Sequence, residues 1–175
     1  VPRAWAARND PAVRRLIAKF GNRRGDRRKA LAIAHEVIRR HPRCYAGYQL
    51  EYFARGEQRG AALAPLTRMV ALLPMHPMSW FVRAEMLMRL DRYARAAADL
   101  STALRFDRGY YRESIFLLRA ECYRRLGRYD EALADCDRVV SPDCWFALFA
   151  GRLSLRKEQI VDAIARERTS PIGAG

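Results

Sequence analysis

The patterns that would mark a catalyst are begun in this chain and left unfinished. His35-Glu36 starts the arrangement in which two histidines four residues apart hold zinc and the glutamate acts as base, but no second histidine follows. His41 lies beside Pro42, and His76 stands between Pro74 and Pro77. Cys44, Cys122, Cys136 and Cys144 include no C-x-x-C pair and have no histidine at a zinc-binding spacing, so they read as free buried thiols in a reducing compartment. Asp130, Glu131, Asp135 and Asp137 are dense enough to suggest a cation, yet on a helix they spread over different faces, and acids at a helix start are favoured by its dipole. No Gly-rich phosphate loop and no G-x-S-x-G elbow occurs. The expectation is a chain with no catalytic residues, no metal and no cofactor, either self-contained or the non-catalytic module of a larger enzyme.

One charged arrangement does recur. Glu51 is followed by Arg55, Glu85 by Arg89 and Glu121 by Arg125. Residues four apart share a helical face, and Glu before Arg is the favourable order, contributing roughly 0.2 to 0.5 kcal/mol per pair. Two readings stay open: a solvated ladder of intrahelical ion pairs, or a surface striped with acid and base that meets a partner.

The elements that carry this ladder repeat. Leu90-Asp91-Arg92-Tyr93-Ala94-Arg95-Ala96 aligns with Leu126-Gly127-Arg128-Tyr129-Asp130-Glu131-Ala132 at an offset of 36 residues, and Arg83-Ala84-Glu85 falls on Arg119-Ala120-Glu121. A period of this length implies stacked helical units. Small or apolar residues recur where two antiparallel helices close: Ala84, Leu87, Ala96, Leu100 and Ala103, then Ala120, Tyr123, Ala132, Cys136 and Val139. Ala62, Leu66 and Met69 hold the corresponding places in an earlier unit, and Ala30, Ala34 and Val37 in the one before it. Asp10-Pro11 predicts the first helix start, and Pro42, Pro74 and Pro142 each follow a second helix and stop it. Pro65, inside a predicted second helix, should kink it or delay its start.

The Trp80, Ala84, Leu87, Ala96, Leu100, Ala103 series and the Leu-Gly-Arg-Tyr-Asp-Glu-Ala-Leu string at 126–133 resemble the tetratricopeptide repeat family. The resemblance implies an all-α fold, a right-handed superhelix of antiparallel helix pairs. It places a lead-in at 1–10, four repeats at about 11–42, 43–76, 77–112 and 113–142, and a tail at 169–175. The amphipathic stretch Cys144 to Ile164 is read as one or two capping helices within 143–168, because an end repeat needs its open face covered.

In this family the first helix of each unit lines a concave groove. The resemblance therefore implies a scaffold or adaptor that holds a peptide or helix of a protein partner, with Tyr48, Glu51, Arg55, Met78, Phe81, Glu85, Met88, Arg89, Leu117, Glu121 and Arg125 as the lining. Some members clamp the C-terminal carboxylate of chaperones. Here Arg15 and Lys19 could supply cations, but Tyr48 replaces the amide and Met78 and Val82 replace the basic residues, so that use is not expected. Chaperone-like binding of a secreted substrate is a weaker expectation resting on size and repeat number.

Charge is uneven. The net charge is +14, and residues 1–43 hold 13 basic against 3 acidic residues. Arg15, Lys19, Arg23, Arg24, Arg27 and Arg28 form a basic patch on the first unit, whose alternative use is sequence-indifferent binding of nucleic acid or another anionic surface through counterion release. No apolar run approaches the roughly 20 residues of a membrane span. The chain opens on Val1-Pro2-Arg3, as an excerpt or a processed form would, without the apolar stretch of a secretion signal, so a cytoplasmic location is expected. Nothing in the sequence specifies an oligomeric state.

Overall fold

A computed structural model describes residues 11, 15, 26–56, 60–109, 111–141, 144–148 and 153–169. The chain divides into two compact units, residues 1–86 and 87–175.

In the first unit, α1 (Arg27–Arg40) begins where the Asp26 carboxylate accepts the backbone N–H groups of Arg28 at 2.9 Å and Lys29 at 3.4 Å. It thereby satisfies two donors that the first turn leaves open. The helix ends at His41, ahead of Pro42. α2 (Tyr45–Arg55) packs on α1, and Gly47 lets it approach: a Cβ there would lie 3.0 Å from Cγ1 of Ile38 and 3.1 Å from Cγ1 of Val37. α3 (Leu63–Leu72) returns along α2. Pro65 is its third residue, in the first turn, where its missing N–H has no intrahelical partner to lose; the proline delays the helix start. α4 (Pro77–Arg89) runs out of this unit into the next.

The second unit continues with α5 (Tyr93–Phe106), α6 (Arg112–Arg125) and α7 (Tyr129–Cys136), each packed on the one before it from α6 onward. The turns into α5 and α7 share one geometry. Arg92 N–H reaches the Leu87 carbonyl at 2.9 Å and Asp91 N–H that of Met88 at 3.0 Å, and Arg128 and Gly127 repeat this on Tyr123 and Arg124 at 2.9 and 3.0 Å. Paired bonds of this kind need a left-handed residue, supplied by Asp91 at φ 55° and Gly127 at φ 71°.

The closing residues read from the sequence lie in the core: Ala30, Ala34, Ala62, Leu66, Met69, Ala84, Leu87, Ala96, Leu100, Ala103, Ala120, Ala132, Cys136 and Val139 are buried, with Val37 and Tyr123 half-buried.

The stretch after Cys144 departs from the expected run of helix. β1 (Trp145–Leu148) and β2 (Leu153–Arg156) form an antiparallel hairpin, in register from Trp145 opposite Arg156 to Leu148 opposite Leu153, and only then does α8 (Lys157–Thr169) begin. The sequence contains the reason. Leu153-Ser154-Leu155-Arg156 alternates with period two, aromatic residues favour strands, and Gly151 would weaken any helix drawn through it. The Gln159 side-chain oxygen accepts the Arg156 N–H at 2.9 Å and caps α8. Among the described residues no helix is long and apolar enough to cross a membrane.

Candidate partner-binding faces

On α2 the Glu51 carboxylate is buried and accepts Nε and Nη2 of Arg55 at 2.9 and 2.6 Å, with His35 Nε2 at 3.6 Å. Tyr48 is half-buried, and its hydroxyl donates to the Pro42 carbonyl at 3.0 Å. Trp80 repeats this tie, its indole N–H donating to the Pro74 carbonyl at 2.7 Å. Met78 and Glu85 are half-buried on α4. A serine and a histidine also meet here, Ser79 Oγ lying 3.3 Å from His76 Nδ1 and 3.1 Å from the Tyr45 hydroxyl. Ser79 is fully buried, so this network braces the core and presents no nucleophile to a substrate.

In the second unit Glu121 is buried and gathers two arginines. Arg124 binds both its oxygens at 2.8 and 2.7 Å, and Arg125 Nε adds a bond at 2.8 Å. Arg124 also pairs with Glu167 of α8, while the Arg125 guanidinium lies 5.7 Å over the Tyr93 ring. The Glu51 and Glu121 pairs of the ladder thus form within their own helices. The acids turn inward and the guanidinium groups of Arg55 and Arg125 stand nearer solvent, at 23% and 48% exposure. Arg89 is half-buried.

Three residues expected to line a groove are core. Phe81, Met88 and Leu117 are exposed by 5%, 2% and 0%. For Leu117 the cause is visible: α6 packs against α5, α7, α8 and both strands, so Ile115 through Leu118 are all buried and no face of that stretch is left open. α4 likewise buries Ser79, Phe81, Ala84 and Met86 through Met88, more than the single stripe of a surface helix.

A buried ion pair between two helices escaped sequence reasoning. Arg119 on α6 grips Asp135 on α7 through Nε and Nη2 at 2.6 and 2.7 Å, and its Nη1 donates to Ser101 Oγ on α5 at 2.9 Å. Burial alone would lower the Arg119 pKa, but the Asp135 bonds outweigh it and hold the cation charged. A signal existed: Arg119 and Asp135 stand one 36-residue period after Arg83 and Asp99.

Of the basic patch, Arg15, Arg27 and Arg28 are exposed, the last two on the first turn of α1; Lys19, Arg23 and Arg24 lie outside the described residues. Cys44, Cys122 and Cys136 are free and buried, and Cys144 is free and half-buried. Burial, reinforced by the Asp135 charge, pushes the Cys136 thiol up to about 11. Burial raises Cys122 further still. Among the described residues no group of three His, Cys, Asp or Glu side chains is placed to hold a metal ion.

A family model described as Tetratricopeptide repeat matches residues 50–111 and 113–145. The chain belongs to the tetratricopeptide repeat family. The fold class follows: an all-α helical-repeat solenoid, the fold of a protein-interaction scaffold, in a family whose members are generally non-catalytic. Solved structures agree at the level of fold. A crystal structure of MamA matches with a TM-score of 0.58 and 14% identity, over 65% of this chain and 66% of that one, just under two thirds of its length. A second MamA structure (AMB-1) gives 0.57 and 18%, over 80% and 85%. TTC0263, a thermophilic TPR protein in Thermus thermophilus, gives 0.51 and 22%, over 94% and 77%. Comparison with curated proteins yields no match.

Proposed function

We propose that this repeat protein is a non-catalytic adaptor that binds a peptide or helix of a protein partner on the first-helix faces of its units. One observation carries the reading: Glu51 and Glu121 are neutralised inside their own helices, which leaves the Arg55 and Arg125 guanidinium groups as the polar features offered outward. Held in one orientation by a carboxylate behind it, the planar guanidinium is pre-organised for a second acceptor on a partner. Glu85, Arg89, Met78 and Tyr48 complete these faces as half-buried side chains. Phe81, Met88 and Leu117 support them from the core. The free thiols favour a reducing, cytoplasmic setting.

The test is selection of peptides from a random display library on the immobilised chain, followed by titration of the winners against Arg55→Ala and Arg125→Ala. Binding weakened about tenfold in either variant, with unchanged circular dichroism, supports the reading. Affinity unaltered in both removes the first-helix faces from the account.

A further inference from the structure

The turn from α4 into α5 forms a shallow depression lined by Asp91, Arg92, Tyr93, Ala94, Arg95 and Leu126, all in the second unit. The same turn occurs one repeat later. There Arg128 is held by both oxygens of Glu131 three residues on, and its guanidinium covers the Tyr123 ring at 4.5 Å. In the earlier turn the position equivalent to Arg128 is Arg92, but Arg95 stands where the later repeat has Glu131. Exchanging the acid for a second cation turns an attractive pair three residues apart into a like-charge pair, which is unfavourable on a helix. Both arginines are exposed, and among the described residues neither bonds to an acid.

The other lining groups narrow what could satisfy them. Asp91 is the one acid of the lining, its carboxylate accepting the Tyr93 hydroxyl at 2.8 Å, so two cations face one anion and the recess keeps a net positive charge. Leu126 is 38% exposed, an apolar side chain in the lining of a charged recess. Arg125 lies over the Tyr93 ring and occupies a face on which a base would otherwise stack. This combination suits carboxylates with an apolar side chain beside them better than a nucleic-acid strand.

We infer that the α4–α5 turn is a second docking surface, on which Arg92 and Arg95 bind an acidic segment of a protein partner whose neighbouring apolar residue rests on Leu126. The surface belongs to the start of a second helix and adjoins the first-helix face proposed above at Arg125, which lies over the Tyr93 ring. A partner held at both places would gain from effective concentration without any new contact.

The probe is a labelled synthetic peptide of repeating Asp-Glu-Leu, titrated by fluorescence anisotropy against the whole chain at rising salt, beside a Lys-Lys-Leu peptide and a single-stranded oligothymidylate. The acidic peptide is expected to bind most tightly and to weaken as salt rises. Arg95→Glu, which installs the acid that the later repeat carries at this place, should weaken it about tenfold because Arg92 then has an internal partner, with thermal unfolding undiminished or slightly raised. Arg92→Gln should weaken it by a similar factor. Arg68→Ala, which removes an exposed cation of α3 outside both proposed surfaces, should leave it unchanged. Wild-type affinity in both Arg95→Glu and Arg92→Gln, equal binding of the Lys-Lys-Leu peptide, or tighter binding of the oligothymidylate would each overturn the inference.

Discussion

Arg119 holds both carboxylate oxygens of Asp135, at 2.6 and 2.7 Å, and so bolts α6 to α7 across sixteen residues of chain. Asp135 and Arg119 are 3% and 13% exposed, so removing Asp135 strands the Arg119 cation away from most water. Asp135→Ala is expected to lower unfolding free energy by about 3 to 5 kcal/mol, read from urea denaturation. The double change Arg119→Met with Asp135→Leu should recover most of that loss. A double variant as weak as the single one would show that the pair itself, rather than the stranded charge, supplies the stability.

Phe81 and Leu117 should behave as core residues. Phe81→Ala is expected to cost about 3 to 5 kcal/mol and Leu117→Ala about 2 to 5 kcal/mol, the range for cavities left by large buried side chains. Any binding defect in these variants should track the unfolded fraction and vanish at a temperature where both are folded. A binding defect at full folding would return Leu117 to the partner-binding surface.

Gly127 and Asp91 fill the same left-handed turn position in successive repeats. Gly127→Ala is expected to cost about 1 to 2 kcal/mol, because a Cβ at positive φ meets the following carbonyl. Nothing else lies within 4 Å of that Cβ, so the loss is conformational and the variant should keep its helix content by circular dichroism.

The pH dependence has a definite sign on the alkaline side. Cys136 rises from an ordinary value of 9.0 to about 11 in the folded chain, and Cys122 moves the same way. Between about pH 9 and 11 the unfolded thiol ionises while the folded one keeps its proton, so the unfolded chain binds fewer protons and stability falls as pH rises. Tm should be flat up to about pH 8.5 and then decline, and Cys136→Ala should flatten part of that decline. Iodoacetamide at pH 8 should label Cys144, which is half-buried, before Cys122 or Cys136.

Much of the repeat architecture is legible in the residues themselves because it rests on local chemistry. Alanines at the close approaches, the matching turns at 90–96 and 126–132, and Glu four before Arg are statements about neighbours along one helix or across one turn, and they hold wherever the helix is placed. Tertiary structure decided the rest. Helical spacing says that Leu117 and Phe81 share a face with other apolar residues, but whether that face is open depends on what packs over it. Leu117 lies on a helix packed against five other elements, of which β1, β2 and α8 come from segments some thirty to fifty residues further on. The pairing of β1 with β2 was hidden behind the apolar spacing of Cys144 to Ile164, which also fits a helix face, although the period-two run at 153–156 and Gly151 spoke against one. The Arg119–Asp135 bolt was hidden for a related reason: a buried ion pair needs two helices brought together at one depth, and that juxtaposition exists only in the folded chain.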